Sequence, residues 1–323
     1  MANYISPLMS SVSVTIDIMF TSYIPTWLLS VMLVPFGLAL GSFANVLIYR
    51  LPLRNKVDRN ITTRPSRCII CKTNIRPIHN VPILSWIWLR GRCAYCGCQI
   101  STNYPLVELL VGLLMAGSVW IFPFGTLIWL KGLVCGYALI VLFFTDFNAF
   151  ILPNIIQFPL MIIGILFTLP QLIYPSHTTY IFDLHETILR VDTFANSLQP
   201  APIWHKFGQP VTLLTSILGI AIGYMVPMSI NAIYRYIRKT DGMGMGDFKM
   251  LAWLGAFWGW APTLGIMLCG ALLGSIIGLP IILLKNNNWR HIMLPFGCTL
   301  ALATPIVVFY GTNIWHAYVE LIR

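Results

Sequence analysis

Charged residues are scarce in this chain. Lysine, arginine, aspartate and glutamate make up 9% of its 323 residues, whereas hydrophobic residues make up 57%. The mean hydropathy is +0.78. A water-soluble domain of this size needs a far more charged surface, so the composition excludes an ordinary soluble protein. It indicates that the lipid bilayer is the main solvent.

Lysine and arginine are absent from the first 49 residues. A cleavable signal peptide begins with a basic stretch and ends at a small-residue cleavage site, and neither flanks the first apolar run. We therefore expect this run to remain in the protein as a membrane anchor.

Long polar stretches are also rare, and they separate eight apolar runs. A helix needs ~20 mostly apolar residues to cross the hydrocarbon layer. The pattern therefore predicts an all-α integral membrane protein with about eight transmembrane helices, of which the sixth is the shortest. The runs are Trp27–Ile48, Tyr104–Phe122, Thr126–Phe144, Ile155–Leu172, Val211–Ile233, Met245–Trp260, Thr263–Leu284 and Ile292–Ile314.

The basic residues are distributed unevenly between the two sides of the predicted membrane. Sixteen of the twenty lysines and arginines fall on one side, and ten of these lie between Arg50 and Arg92. In membrane proteins, basic segments face the cytosol, so residues 50–103 are predicted to be cytosolic. Both termini and the loop Tyr174–Pro210 are then predicted to lie outside. The net charge of +10 therefore reflects membrane orientation rather than nucleic-acid binding. The sequence assigns no role to the outer loop.

The predicted cytosolic segment contains five of the eight cysteines. Cys68 and Cys71 form one CxxC pair, Cys93 and Cys96 form a second, and Cys98 follows closely. Two such pairs at this spacing are typical of a four-cysteine structural zinc site. Two disulfides are the alternative, although they are rare in the reducing cytosol. Cys98 either replaces Cys96 as a ligand or is a spare thiol.

Two aspartates lie where an ionisable group is costly. Asp146 ends the third run in FFTDFN, and Asp247 opens the sixth in GMGMGDFK. An ionisable side chain within a span costs at least ~2.5 kcal/mol, so each needs a reason to be there. The predicted topology brings both to the cytosolic face, where one carboxylate can retain a proton while its neighbour activates water. The alternative is a pair of inert residues solvated by lipid headgroups.

The residues around Asp247 fit close contact with a substrate. Gly244 and Gly246 lack a β-carbon, which permits unusual dihedral angles and close approach of a substrate or a neighbouring helix. Lys249 is a candidate substrate contact, with a snorkelling anchor or a carboxylate partner as its structural alternatives. Glu108 lies at the start of the second run, and we expect it to have a structural role near the lipid headgroups.

Other kinds of catalytic site are missing from the sequence. The six histidines are scattered without metal-ligand spacing, and no serine–histidine nucleophile motif is recognisable. A zinc-containing membrane transporter or scaffold that uses its carboxylates for protons or cations is the alternative function. A transporter would show charges along several spans near the midplane, whereas these gather at one face.

The motifs together resemble the bacterial type IV prepilin peptidases, which are GxGD membrane aspartyl proteases and N-methyltransferases. The resemblance covers most of the chain. It is carried by residues 41–52 (GSFANVLIYRLP), 66–71 (SRCIIC), 89–96 (LRGRCAYC), 104–108 (YPLVE), Thr145–Asp146 and 244–250 (GMGDFKM).

This resemblance implies a function for each region. Asp146 and Asp247 would cleave the basic leader of prepilins or type II secretion pseudopilins at the cytosolic face of the bacterial inner membrane. The new N-terminus would then be methylated with S-adenosylmethionine. No glycine-rich strand-to-helix motif accompanies that activity, so a peptidase without methyl transfer remains an alternative. The implied domains are an anchor (1–49), a zinc-binding domain (50–103) and a protease domain with seven transmembrane helices (104–323).

The sequence departs from the family pattern at three places. Asn154 stands where the family often has a further aspartate, so catalysis depends on Asp146 being the relevant carboxylate. Cys298 follows Leu294–Gly297 where the family usually has proline. The outer loop is longer than expected. We expect neither of these last two departures to touch the proposed chemistry.

Overall fold

The computed structural model describes residues 24–53, 61, 65–122, 124–169, 211–284 and 295–322. These ranges hold eight long helices and one short helix, α2. The outer loop Tyr174–Pro210 lies outside the described residues. The helices are α1 (Thr26–Arg50), α2 (Leu84–Trp88), α3 (Asn103–Ile121), α4 (Leu127–Ala149), α5 (Asn154–Leu166), α6 (Leu213–Arg238), α7 (Met245–Trp258), α8 (Trp260–Leu284) and α9 (Phe296–Ile322).

The all-α prediction is confirmed, and each apolar run coincides with one long helix. The ends differ where polar residues continue a helix. α6 extends five residues past Ile233 to Arg238, and α9 extends past Ile314 to Ile322. α5 is shorter than predicted, because it ends at Leu166.

Five of these helices are long and apolar enough to cross a membrane. They are α1, α3, α4, α6 and α8. α5 and α7 have 13 and 14 residues, about 20 Å of helix against a hydrocarbon core of about 30 Å. The chain is a multi-pass membrane protein, and the number of eight spans stays a prediction.

The chain divides by packing into two compact units, residues 1–141 and 142–323. The division by function into residues 1–49, 50–103 and 104–323 stays a prediction. In the first unit, α1 packs along α3. A β-carbon on Gly41 of α1 would lie 2.6 Å from the Glu108 Cα of α3, so the two backbones touch there. The predicted cytosolic segment connects this helix pair.

α7 is the buried centre of the second unit. Every residue from Met250 to Trp258 is buried, because α5, α6, α8 and α9 all pack against this helix. Gly219 and Gly223 form a GxxxG pair on α6. Gly219 packs directly against the Gly255 backbone of α7, where any side chain would overlap with main-chain atoms. Small residues of this kind allow membrane helices to approach closely. The packing fixes the start of α7, where Asp247 lies.

Candidate active site and metal centre

Asp247 lies in the first turn of α7 and is 8% exposed. Its Oδ2 accepts a hydrogen bond of 3.2 Å from the Gly244 backbone N–H. The Asp247 N–H in turn donates to the Gly244 carbonyl at 3.1 Å. This local capping arrangement holds the carboxylate at the helix N-terminus, where negative charge is favoured.

Asp146 lies in the last turn of α4 and is 5% exposed. The N-terminus of α9 binds its carboxylate. The Cys298 backbone N–H donates to Asp146 Oδ2 at 3.2 Å, and the Gly297 N–H also interacts with the carboxylate. The Cys298 thiol donates to the Phe143 carbonyl at 3.3 Å. A proline at position 298 would have no N–H to donate. The expectation that the departure at Cys298 does not touch the proposed chemistry is therefore wrong, because the Cys298 N–H bonds to the carboxylate of a candidate catalytic residue.

The structure brings the two aspartates together within the second unit. Their carboxylates interact electrostatically with each other, and both interact with the Cys298 thiol. Leu152 fills the space between their helix ends. A β-carbon on Gly246 or on Gly297 would lie 3.0 Å from the Leu152 side chain. Two buried carboxylates whose charges interact are a candidate pair for aspartyl catalysis.

The glycines of the GxGD motif act through close approach alone. Gly244 has φ −75° and ψ 145°, an ordinary extended conformation, and Gly246 is absent from the positive-φ positions of the described residues. The expectation of unusual dihedral angles at these two glycines is therefore wrong. Gly246 is needed because Leu152 packs against its Cα.

Lys249 and Asn154 bond to each other near the site. The Lys249 Nζ donates to Asn154 Oδ1 at 2.8 Å and lies 5.4 Å above the Phe158 ring. The bond links the fifth residue of α7 to the first residue of α5. A carboxylate partner was one alternative for Lys249, and in the structure a neutral amide takes that place, so Asn154 has a structural partner of its own.

The cysteine segment contains an internal repeat that sequence analysis missed. Residues 66–75 (SRCIICKTNI) and 91–100 (GRCAYCGCQI) fold into two equivalent knuckles. In each knuckle the first cysteine N–H donates to the carbonyl five residues later, and the N–H four residues later donates back to that cysteine. The four bonds are Cys68 N to Thr73 O (3.0 Å), Cys93 N to Cys98 O (2.8 Å), Lys72 N to Cys68 O (3.1 Å) and Gly97 N to Cys93 O (2.9 Å).

Further features repeat between the knuckles. Isolated β-bridges join Arg67 to Asn74 and Arg92 to Gln99. The residue after the second cysteine has positive φ in both, 60° at Lys72 and 69° at Gly97. The repeat therefore pairs Cys68 with Cys93, Cys71 with Cys96, and Thr73 with Cys98.

The cysteine sulfurs have the spacing of a metal centre. The Sγ atoms of Cys68, Cys93, Cys96 and Cys98 all lie within 4.8 Å of one another. The Cys68 Sγ is 3.9 Å from that of Cys96 and 3.5 Å from that of Cys98. A tetrahedral zinc–thiolate site with bonds of ~2.3 Å has sulfurs about 3.8 Å apart. The cluster is therefore suited to binding a metal ion.

Cys71 lies beside this group of four rather than within it. Its thiol interacts with those of Cys68 and Cys96, and the hydrogen bond from the Thr73 side chain lowers the pKa of Cys71 to about 6. A thiol with a lowered pKa supplies thiolate, the form that binds metals. Four of the five thiols thus form one cluster, and the fifth, that of Cys71, adjoins it.

Glu108 is structural, as the sequence suggests, but it is buried rather than directed at the headgroups. It is 8% exposed, and its Oε2 accepts a 2.7 Å hydrogen bond from the Ile83 N–H. Ile83 has a φ of 58°, which is strained for a β-branched residue. Glu108 therefore ties the start of α2 to the membrane helix α3.

Comparison with known proteins covers most of the chain. Residues 35–122 match the bacterial peptidase A24 N-terminal domain, and residues 133–279 match the type IV leader peptidase family. A prepilin leader peptidase/N-methyltransferase of Aeromonas hydrophila is 32% identical over 314 residues, covering 90% of this chain and 94% of the relative. The chain belongs to the type IV leader peptidase family. Both aspartates fall within the part that matches this family.

Other members of the family give the same result. Proteins with the same name from Dickeya chrysanthemi and Stutzerimonas stutzeri are 33% and 29% identical. These alignments cover 86% and 89% of this chain and 90% and 92% of the relatives. No solved structure matches the chain.

Proposed function

We propose that this protein is a membrane aspartyl endopeptidase that uses Asp146 and Asp247 to remove the leader of prepilins or pseudopilins. Its family and the names of its relatives support the leader peptidase activity. The observation that carries the assignment of residues is the burial of both carboxylates beside the same side chain, Leu152, where their charges interact. Asn154 is not part of the dyad in this proposal, because its amide oxygen bonds to Lys249.

The two carboxylates divide the chemistry between them. One is ionised and takes a proton from a water molecule, which attacks the scissile carbonyl carbon. The other is protonated and donates its proton to the carbonyl oxygen as the tetrahedral intermediate forms. Collapse of the intermediate breaks the C–N bond and returns a proton to the leaving amine. The hydrogen bonds from Gly244 and Cys298 keep the carboxylates in position during these steps.

The charge pattern supports a cytosolic active site in the bacterial inner membrane. Arg235 and Arg238 end α6, a few residues before α7 begins at Met245. Basic residues at helix ends favour the cytosolic side. The substrate would be a precursor whose basic leader lies in the cytosol and whose following apolar helix lies in the bilayer. Both termini of the enzyme would then be periplasmic.

Methyl transfer to the new N-terminus is the second proposed activity. It is supported by the names of the relatives, all of which are called prepilin leader peptidase/N-methyltransferase. S-adenosylmethionine would supply the methyl group. We assign no residue of the described chain to it.

The cysteine cluster is proposed to hold one structural zinc ion through Cys68, Cys71, Cys93 and Cys96. The two knuckles support this choice, because the second CxxC cysteine is Cys71 in one and Cys96 in the other. Cys98 occupies the place of Thr73, and its thiol hydrogen-bonds to that of Cys96. Bound zinc would link the knuckles and contribute to the folding of this small segment.

The protease assignment is tested with purified enzyme and a prepilin substrate. Asp146→Asn and Asp247→Asn are each expected to abolish cleavage while the thermal unfolding transition is retained. Asp241→Asn is the matched control, because this aspartate is 62% exposed and is paired with Arg235. Full cleavage by either of the first two variants would refute the assigned dyad.

A further inference from the structure

The short helix α2 has one apolar face that the rest of its unit leaves exposed. Leu84, Ile87 and Trp88 are 65%, 60% and 74% exposed. Ile87 and Trp88 follow Leu84 by three and four residues, so all three side chains lie on the same side of the helix. Three large apolar side chains exposed together in a five-residue helix indicate a contact surface.

The opposite side of α2 is fixed to the cysteine segment. Trp86 packs so closely on Gly91 that a β-carbon there would lie 2.9 Å from the indole ring. Its Nε1 also donates to the Ile100 carbonyl at 3.4 Å. Because Trp86 holds this orientation, α2 cannot rotate to bury Trp88 against its own segment.

α2 begins beside the ends of α1 and α3 rather than beyond them. Ile83, directly before α2, donates to Glu108, which lies five residues into α3, about 8 Å along the helix axis. Glu108 also packs against Gly41, nine residues before the end of α1, or about 14 Å. The headgroup layer is about 5–8 Å thick on each side of the hydrocarbon core. The start of α2 therefore lies below the cytosolic ends of both membrane helices.

The charge around this face suits an anionic surface. Residues 50–103 contain ten lysines and arginines against one acidic residue, Asp58. Arg76, Arg90 and Arg92 near α2 are exposed. Basic side chains beside an exposed tryptophan and aliphatic residues are the features of a segment that lies in the membrane interface.

We propose that the α2 face formed by Leu84, Ile87 and Trp88 inserts into the cytosolic headgroup layer and binds anionic phospholipid. Trp88 would sit at the boundary between headgroups and acyl chains, where tryptophan is enriched. The neighbouring arginines would contact lipid phosphates. The contact holds the cysteine segment against the membrane surface, and it is independent of the catalytic dyad.

Photocrosslinking of the full-length protein in nanodiscs tests the contact. Benzoylphenylalanine replaces Trp88 in one variant and Trp86, on the opposite side of α2, in the other. We expect lipid adducts at position 88 in nanodiscs of phosphatidylglycerol and phosphatidylethanolamine, several-fold more than in phosphatidylcholine. Position 86 should give adducts within the protein. Leu84→Ser with Ile87→Ser should reduce the lipid adduct at position 88 several-fold.

Two outcomes would overturn the proposal. Equal lipid adducts at positions 86 and 88 would show that α2 has no lipid-facing side. Adducts of position 88 with an added prepilin peptide, in place of lipid, would assign the face to substrate binding. Neither outcome depends on catalysis, because the same experiment can be run with Asp146→Asn.

Discussion

Gly297 is the position at which the smallest change should most affect catalysis. A β-carbon there would lie 2.7 Å from Asp146 Oδ2 and 3.2 Å from Asp146 Cγ. Ordinary contact begins at 3.4 Å, so Gly297→Ala must displace the carboxylate by about 0.7 Å. The displacement also stretches the hydrogen bond from the Cys298 N–H, which is already 3.2 Å long.

The expected loss of activity follows from this displacement. A misplacement of about 1 Å in an active site costs about 100-fold in rate, so Gly297→Ala should lower kcat by about 10- to 100-fold. KM for a prepilin substrate should change little, because the substituted atom contacts the catalytic carboxylate. The assay is steady-state cleavage of a purified prepilin in detergent micelles.

Gly274→Ala is the matched control for this change. It lies on α8, and its new β-carbon would meet Thr299 of α9 at an ordinary 3.7 Å. We expect activity and thermal stability close to those of the parent. A folded Gly297→Ala enzyme with the parent kcat would refute the placement of Asp146 against the N-terminus of α9.

Three other predictions concern the surroundings of the two sites. Asn154→Asp should create an ion pair with Lys249, and an exposed pair adds only about 0–1 kcal/mol. The cleavage rate should therefore stay within about threefold of that of the parent. A cleavage rate raised tenfold or more would move the catalytic role to position 154. The purified protein should contain about one zinc per chain by metal analysis. Cys71→Ser should lose the metal. Cys98→Thr, which gives the second knuckle the residue that the first has at Thr73, should retain it. The reverse result would place Cys98 in the ligand set in place of Cys71. Glu108→Ala leaves the Ile83 N–H unpaired and should lower the free energy of unfolding by about 1–3 kcal/mol. The exposed Glu320→Ala should change it by less than about 0.5 kcal/mol, and equal effects would contradict the anchoring role of Glu108.

The helices of this protein follow directly from its hydrophobic runs. An apolar stretch of sufficient length must form a helix in lipid, because every backbone group needs an internal partner there. Helix ends depend on other factors. α6 continues to Arg238 and α9 to Ile322, where polar residues extend the helix beyond its apolar part.

The burial of α7 shows what hydropathy does not capture. Its 14 residues run from Met245 to Trp258, and a break at Gly259, with a φ of 81°, separates it from α8. The nearly complete burial of α7 within its unit comes from packing against four other helices. The apolar residues of a single helix do not reveal which other helices will cover it.

The immediate partners of Asp146 could not be predicted from the sequence. Cys298 is 152 residues away along the chain, and the contact depends on how α4 and α9 pack. The contact between Glu108 and Ile83 likewise requires the folded segment. The two knuckles could have been found, because residues 66–75 and 91–100 share the pattern of R-C-x-x-C followed by isoleucine at the tenth position.

Asp146 and Asp247 are proposed to act as one catalytic unit. The measurement that tests it most directly is the cleavage rate of Asp146→Asn, Asp247→Asn and the double variant under identical conditions. Residues that act as a unit have non-additive effects, so each single variant should lose about as much activity as the double variant. A single variant that keeps substantial cleavage, or a double variant whose loss is the product of two moderate losses, would contradict the account.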